Sequence, residues 1–325
     1  MISPDIAPAV LRADERIRDA ILRTPLEPVP ALGRAAKARV FIKWECDQRT
    51  GSFKLRGALN ALRSLNAAER GRGVVSASTG NHGLAMIHAA HREGVRLMLF
   101  VPLSIAPGKR DKLRAAGADL VIAGASCEQA ERMARAEAAA AGRIYISPYN
   151  DLRVVAGQGT IGLEIAAAAC DADDVLVPVG GGGLAAGIGG VLKALRPKAR
   201  VWGVEPARSA FMAASFAAGR LVGIAEKPTL ADAVAGGIEP GAITFDLCRA
   251  FLAGILQTSE SAIRRAMRIL ERLHGRPVEG AGALALAAFA ARPEIFRGRT
   301  VVLVVSGGNA PAGPDRGVAA ASRFE

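Results

Sequence analysis

The chain has 325 residues, half of them hydrophobic and 22% charged, so intrinsic disorder and a collagen-like repeat are excluded. Its length favours about two domains. The formal net charge is +12, but only eight of the 42 basic residues are lysines and no basic run exceeds two residues, so we expect no nucleic-acid binding.

Neither a membrane segment nor a secretory signal is expected. All apolar stretches are far shorter than the roughly 20 residues that span a bilayer. The first twelve residues include Asp5 and lack a basic start and an apolar centre, so we expect a cytoplasmic protein. Cysteines with no Cys-x-x-Cys spacing predict neither a zinc site nor an oxidising compartment; they are Cys46, Cys127, Cys170 and Cys248.

Short β-branched or leucine-rich runs alternate with alanine-rich helical stretches along the chain, which predicts an α/β fold with a parallel sheet between helices. The predicted strands are 40–44, 73–77, 97–101, 120–122, 144–146, 175–179, 201–204, 255–258 and 301–305. The clearest helical periodicity lies in residues 126–141, 259–273 and 281–291. Ser259 is the predicted N-cap of the second of these helices.

The strand–helix units between residues 73 and 150 predict a small domain. The flanking segments, 1–72 and 151–325, then form a large domain that binds the ligand. No repeat or low-complexity linker separates the two.

The first of four polar or glycine-rich turns that follow predicted strands is TGSFKLRGA, residues 50–58. Lys54 is predicted to begin a helix, where the helix dipole disfavours an ammonium group and promotes the neutral amine. A neutral lysine is the form that Schiff-base chemistry requires. The alternative is an ordinary solvated lysine.

The second turn is STGNHG, residues 78–83, between a predicted strand and a helix. Exposed N–H groups at such a turn bind carboxylate or phosphate groups. The alternative interpretation is that Ser78 or Thr79 is simply the N-cap of the helix.

The third turn consists of Gly180, Gly181, Gly182 and Gly183, followed by Leu184. Successive glycines allow the backbone to surround a phosphate. A dinucleotide site is the rival, because Glu205 follows about 20 residues later; however, the strict Gly-x-Gly-x-x-Gly pattern fails in every register.

The fourth turn is SGGN, residues 306–309. The hydroxyl of Ser306 could contact a heterocyclic nitrogen, although a turn cap is the simpler interpretation of Ser-Gly-Gly.

In this order, the four turns resemble the fold type II pyridoxal-phosphate enzymes of the serine/threonine dehydratase and serine racemase family. VVAGQGT at 154–160 and VEP at 204–206 add to the resemblance, which extends over nearly the whole chain. It implies an α/β fold with two open, mostly parallel sheets flanked by helices. It also implies pyridoxal 5′-phosphate as cofactor, an amino acid as substrate and a homo-oligomer, by default a dimer.

The resemblance also assigns roles to individual residues. Lys54 would bind the cofactor covalently and act as catalytic base, Phe53 would pack beneath the ring, and Asn81 would bind its 3′-oxygen. Residues 180–184 would hold the phosphate and Ser306 would face the ring nitrogen. The residues implied to hold the substrate carboxylate are Ser78, Asn81 and His82.

Two departures from the family pattern are visible. The divalent-cation site of the family would fall on Glu205, Ser209 and Phe211; because a phenylalanine cannot bind a hard cation, we expect no metal. The segment EGAGA at 279–283, with TLADAVAGG at 229–237, is similar to dehydratase-like proteins of hydroxyectoine breakdown.

The predicted activity is therefore the conversion of a β-hydroxy amino acid, by default threonine or serine, to a 2-oxo acid and ammonia. A hydroxyectoine-utilisation dehydratase remains an alternative. An amino-acid racemase is another, with Thr79 as the second acid on the face opposite Lys54. From other classes, a nicotinamide-dependent oxidoreductase and a catalytically silent binding protein remain possible.

Overall fold

A computed structural model describes residues 5–275 and 278–310, without the side chains of residues 273 and 274. The strands are β1 (Leu26–Pro28), β2 (Arg39–Trp44), β3 (Val74–Ala77), β4 (Leu97–Val101), β5 (Leu120–Ile122), β6 (Ile144–Tyr145), β7 (Asp174–Pro178), β8 (Arg200–Pro206), β9 (Gly254–Thr258) and β10 (Thr300–Val305).

The helices of the same residues alternate with these strands. They are α1 (Ala7–Ile17), α2 (Pro30–Gly33), α3 (Lys54–Arg63), α4 (Ala67–Arg72), α5 (Asn81–Glu93), α6 (Pro107–Ala115), α7 (Cys127–Ala140), α8 (Leu152–Ala168), α9 (Gly183–Leu195), α10 (Phe211–Ala218), α11 (Ile243–Phe251), α12 (Glu260–His274) and α13 (Gly280–Ala291). The oxygen Oγ of Ser259 accepts a hydrogen bond from the backbone N–H of Ala262, which confirms Ser259 as the N-cap of α12.

The larger sheet has six strands in the order β1-β2-β10-β7-β8-β9, and all neighbours except β1 and β2 are parallel. Strand β10 has the sequence TVVLVV and is buried at every position, as expected for a parallel strand covered on both faces. It lies between β2 and β7, with Val301 opposite Val40 and Val305 opposite Trp44.

Two layers of helices cover this sheet. On one face, α1, α8, α9 and α11 pack against alternate residues such as Val175, Val177 and Val302. On the other face, α12 and α13 pack against the residues between them, such as Leu176 and Leu303. This alternation follows from the two-residue period of a strand.

The smaller sheet has four parallel strands in the order β5-β4-β3-β6. Helices α3 and α5 pack on one face through residues such as Leu59 and Met86, and α7 covers the other face through Ala134 and Ala138. The fold is thus α/β with two open, mostly parallel sheets flanked by helices, as predicted. Dividing the chain at residues 72 and 151 remains our prediction for the domain boundaries.

A buried cluster of charges fixes the start of α3, the helix that begins with Lys54. Arg56 donates hydrogen bonds to Glu45 at 2.8 Å and to Glu164 at 2.6 Å, and Lys43 forms an ion pair with Glu164. Arg56 and Glu45 are fully buried. The cluster therefore ties α3 to the segment after β2 and to α8.

Close helix contact gives α3 a second constraint. A Cβ atom added to Gly157 of α8 would lie 2.5 Å from the carbonyl oxygen of Arg56. Glycine at this position lets the two helices touch through their backbones, so α3 is held close to α8.

Among the helices of residues 5–275 and 278–310, none combines the length and apolar character that crossing a bilayer requires.

Candidate active site

The four turns singled out in the sequence follow the carboxyl ends of parallel strands, where open α/β sheets bind their ligands. The first turn comes after β2, the second after β3, the third after β7 and the fourth after β10. Strand β3 belongs to the smaller sheet and the others to the larger one, so the site draws on both sheets.

Lys54 lies in the first turn. It is the first residue of α3, as the sequence predicts, and its Nζ donates a hydrogen bond to the carbonyl oxygen of Pro148 at 2.8 Å. Nζ also lies 5.1 Å from the centre of the Phe53 ring. Burial lowers the pKa of the Lys54 amine to about 8, while the nearby carboxylate of Glu279 acts in the opposite direction. About a tenth of the amine is therefore neutral at pH 7, far more than for an ordinary lysine.

Backbone contacts join the fourth turn to the first. The N–H of Phe53 donates to the carbonyl oxygen of Ser306 at 3.1 Å, and the N–H of Gly308 donates to that of Gly51 at 2.9 Å. Residues Ser52 and Gly307 form an antiparallel bridge. Ser306, which is buried, is thereby fixed beside the residue before Lys54.

Asparagine side chains join the second turn to the fourth. Nδ2 of Asn309 donates to Oδ1 of Asn81 at 2.8 Å and to the carbonyl oxygen of Thr50 at 2.8 Å. Nδ2 of Asn81 donates to Oε1 of Glu279 at 2.7 Å. Lys112 of α6 also donates to Asn309, at 2.7 Å.

Glu279 is a buried carboxyl group at the site whose role sequence analysis missed. Burial raises its pKa to about 7, against the hydrogen bond from Asn81. Its oxygen Oε1 would lie 2.3 Å from a Cβ atom added to Gly307, so a larger residue there would force the carboxyl group to move. The only indication in the sequence of a role for Glu279 was its position shortly before the predicted helical run 281–291.

The residues of the second turn differ in their exposure to solvent. Asn81 and Ser78 are partly exposed, and Oγ of Ser78 accepts from the N–H of Gly80 at 3.2 Å, which leaves its proton free to donate. The ring of His82 is buried, with Nε2 3.1 Å from Oγ of Ser76. Burial lowers the pKa of the His82 ring to about 3, so the ring is neutral near pH 7.

The interpretation of Ser78 or Thr79 as an N-cap is wrong. The N-cap of α5 is Gly80, and no side chain makes a capping hydrogen bond there. Thr79 is partly exposed in the same turn. Its hydroxyl is therefore not used to begin the helix.

The third turn forms a cradle of backbone at the start of α9. Gly182 has φ of +86°, which favours glycine, and the first N–H groups of a helix have no acceptor within it. A Cβ atom added to Gly181 would lie 2.3 Å from the ring of Tyr149, and one added to Gly180 would lie 3.0 Å from Val234. The loop thus requires glycines and presents free N–H groups, as a phosphate site does.

Tyr149 belongs to the site although sequence analysis did not identify it. Its hydroxyl accepts a hydrogen bond from the N–H of Glu239 at 3.0 Å, and its ring lies on the glycine cradle. Pro148, the acceptor for Lys54, precedes it. Both follow β6, so the carboxyl end of that strand was the signal that could have identified them.

Glu205 lies outside this group. Its two carboxylate oxygens accept hydrogen bonds from the N–H groups of Met212, at 2.9 Å, and Ala213, at 2.8 Å. Burial raises its pKa to about 7. A carboxylate used in this way to anchor α10 is not presented to a ribose, which argues against the dinucleotide alternative.

Comparison with known proteins identifies the family. Residues 17–307 match the family described as pyridoxal-phosphate dependent enzyme. The chain belongs to this family. The residues present fit the cofactor: an amine at Lys54, a glycine cradle at 180–183 for its phosphate, and a buried hydroxyl at Ser306.

Individual relatives extend over nearly the whole chain. The chain is 36% identical to the L-threonine dehydratase catabolic TdcB of Escherichia coli K12, over 92% of each chain. It is similar to the solved threonine deaminase isoform 2 of Solanum lycopersicum, at 32% identity and a TM-score of 0.87 over 94% of this chain and 86% of the other. It is also similar to maize serine racemase, at 29% identity and a TM-score of 0.89 over 96% of each chain.

The family assignment decides between the predicted classes. The chain is a pyridoxal-phosphate dependent enzyme with pyridoxal phosphate as its cofactor, so the nicotinamide-dependent oxidoreductase and the silent binding protein are set aside.

Proposed function

We propose that the enzyme is an ammonia-lyase that converts a β-hydroxy amino acid, threonine or serine, to a 2-oxo acid and ammonia. The observation that carries the proposal is the position of Lys54, whose amine donates to the carbonyl oxygen of Pro148, beside the residue that contacts the glycine cradle, and has a pKa lowered to about 8. The threonine dehydratase and threonine deaminase names of the relatives support the choice of substrate.

The contacts around Lys54 support a role for each turn in holding the cofactor. Phe53 packs beside the Lys54 amine and is proposed to lie under the ring. Asn81 is proposed to bind the 3′-oxygen, and residues 180–184 the phosphate. Ser306 is proposed to face the ring nitrogen. When bound, pyridoxal phosphate supplies an electron sink for the pair left on the substrate Cα.

Hydrogen-bond donors at the start of α5 are proposed to hold the substrate carboxylate. The hydroxyl of Ser78 has a free proton, and Asn81 and His82 contribute N–H groups of the first helical turn. Because the His82 ring is neutral and buried, its contribution comes from the backbone. The helix dipole favours a negative charge at this place.

Lys54 is proposed to move the proton. When the cofactor carries the substrate instead of the lysine, Nζ of Lys54 would be a free amine beside the carbonyl of Pro148 and would accept the proton from the substrate Cα. Loss of the Cα proton and of the β-hydroxyl, which takes up a proton as it leaves, removes one water and gives an enamine. The enamine tautomerises to an imine, which takes up one water to give the 2-oxo acid and ammonia.

Replacing the lysine tests this proposal. Lys54→Ala should abolish both ammonia release from L-threonine and L-serine and the visible absorbance of the bound cofactor, with an unchanged circular dichroism spectrum. Lys193→Ala is the matched control, because Lys193 is exposed on α9. Turnover in Lys54→Ala with a normal visible spectrum would refute the assignment.

Racemisation is a second candidate activity. The observation that favours it is Thr79, whose hydroxyl is not used as a helix cap and lies in the turn next to Asn81. A proton donated by this hydroxyl from the face opposite Lys54 would invert the substrate. Solved serine racemases are among the similar structures.

A hydroxyectoine-utilisation dehydratase remains an alternative, and a screen for ammonia release across hydroxy amino acids and hydroxyectoine tests it. A homodimer and a cytoplasmic location also remain predictions. Light scattering coupled to size-exclusion chromatography measures the first.

A further inference from the structure

A cavity of about 450 Å³ lies at the edge of the smaller sheet that faces away from the four turns. It is lined by residues at the amino ends of the strands, including Val74 of β3 and Leu97 of β4, whereas the second turn follows the carboxyl end of β3. The volume falls within the roughly 300–1,000 Å³ of small-molecule sites. The mechanism proposed above does not use this cavity.

The floor of the cavity is apolar. Val74, Ile87, Ala90 and Val95 line it and are all buried. Their side chains belong to β3, to α5 and to the segment after α5. A ligand that fills the cavity therefore needs an apolar body.

Three arginines from separate segments line the same cavity. They are Arg72 at the end of α4, Arg96 just before β4 and Arg143 just before β6. Arg96 donates to the carbonyl oxygen of Gly71 at 2.9 Å, and Arg143 contacts the sulfur of Met98. Within residues 5–275 and 278–310, no carboxylate pairs with any of the three. Their charges are therefore available to a ligand.

The charge of the cavity indicates the class of anion. Asp119 is the acidic residue that lines it, so the three guanidinium groups exceed the carboxylate by two positive charges. A phosphate monoester carries a charge of about −1.5 to −2 at pH 7. The planar donor pairs of arginine match phosphate oxygens.

We propose that this cavity is a second ligand site, which binds a phosphate monoester with an apolar body. The phosphate contacts Arg72, Arg96 and Arg143, and the body of the ligand packs on Val74 and the floor beside it. The site is separate from the glycine cradle at residues 180–183, which lies at the carboxyl end of β7 in the other sheet.

Phenyl phosphate is a suitable probe, with phenol and inorganic phosphate as comparisons. Calorimetric titration is done on the holoenzyme, so that the cofactor already fills the glycine cradle, and its visible absorbance is followed at the same time. We expect phenyl phosphate to bind one site per chain, more tightly than phenol or inorganic phosphate, without a change in that absorbance.

Variants locate the bound probe. Arg96→Gln combined with Arg143→Gln should weaken phenyl phosphate binding roughly tenfold or more, since each removes a charge-assisted hydrogen bond. Arg72→Gln alone, which disturbs no other hydrogen bond described for the chain, should also weaken it. Arg264→Gln, an exposed arginine of α12, is the matched control and should bind as the unchanged enzyme does.

Several results would overturn the proposal. These are the absence of binding to the folded holoenzyme, equal affinity for phenol, loss of the cofactor absorbance as the probe binds, or binding that neither Arg72→Gln nor the double variant weakens. Equal weakening in Arg264→Gln would also overturn it, because the effect would then come from overall charge.

Discussion

Nδ2 of Asn81 lies 2.7 Å from Oε1 of Glu279, a residue 198 positions away in sequence, and the buried carboxyl group of Glu279 acts electrostatically on the amine of Lys54. Burial lowers the pKa of that amine to about 8, and Glu279 acts against the decrease. Burial therefore dominates the pKa of the lysine, and a carboxyl group beside the start of α13 limits the decrease.

Cofactor uptake by the cofactor-free enzyme should depend on pH through Lys54. Only the neutral amine reacts, so the uptake rate should rise with pH to a plateau above a midpoint near 8, and at pH 7 it should be roughly a tenth of the plateau. Glu279→Gln keeps an acceptor for Asn81 but removes the negative charge. The midpoint should then move to lower pH.

Visible absorbance after rapid mixing measures these rates. Glu294→Gln, on an exposed residue near β10, should leave the midpoint unchanged. A midpoint in Glu279→Gln that stays in place or moves upward would mean that the carboxylate does not act on the amine.

The glycine cradle should not tolerate a methyl group at Gly181. Gly181→Ala places a Cβ atom 2.3 Å from the ring of Tyr149, so ring and loop must separate. Overpacking of about 1–3 kcal/mol should weaken cofactor binding roughly tenfold. Equilibrium titration with pyridoxal phosphate measures the change.

A second substitution, at Tyr149, tests whether the clash with the ring causes the loss of cofactor affinity. Adding Tyr149→Ser to Gly181→Ala should recover much of the affinity, because the clashing ring is gone. Gly71→Ala, at a position with open space around it, is the control and should bind pyridoxal phosphate as tightly as the unchanged enzyme. If Gly181→Ala bound the cofactor as tightly as the unchanged enzyme, the loop would not be the phosphate cradle.

Thr79→Ala should affect racemisation and ammonia release differently. If Thr79 donates a proton, the variant loses enantiomer formation and solvent deuterium incorporation into residual substrate but retains most ammonia release. Thr79→Ser keeps the hydroxyl and should retain both. Equal loss of both reactions in Thr79→Ala would exclude the acid role, since no helix cap is removed by this change.

Divalent metal should not be required for activity. Phe211 stands where a carboxylate would be needed, and both oxygens of Glu205 already accept backbone hydrogen bonds from α10. Ammonia release should be unchanged after treatment with a chelator. Loss of activity that magnesium or calcium specifically restores would show that this region does bind a cation.

Sequence patterns predicted most of the fold because buried parallel strands have a simple signature. All nine predicted strands correspond to strands of the structure. Strand β1 was missed, since Leu26–Pro28 is three residues long, ends in proline and pairs antiparallel at an edge. Such a strand has no hydrophobic period to detect.

The site was predictable only in part. The four turns stood out because glycines and polar residues follow strands. Tyr149 and Glu279 did not, because their place at the site depends on contacts with Gly181 and Asn81 from distant parts of the chain. The alternative interpretation of Ser78 or Thr79 as the helix cap was wrong because residue preference cannot tell which residue of STG adopts the cap conformation, and Gly80 does.

The position of β10 between β2 and β7 also determines the order in which the protein can be completed during synthesis. The smaller sheet is formed by residues 74–145 alone, so its strands can pair while the rest of the chain is still being synthesised. The larger sheet lacks an interior strand until residues 300–305 emerge, and Ser306 follows directly. Until then β2 and β7 lack their shared neighbour, and the nascent chain cannot form the complete cofactor site that we propose.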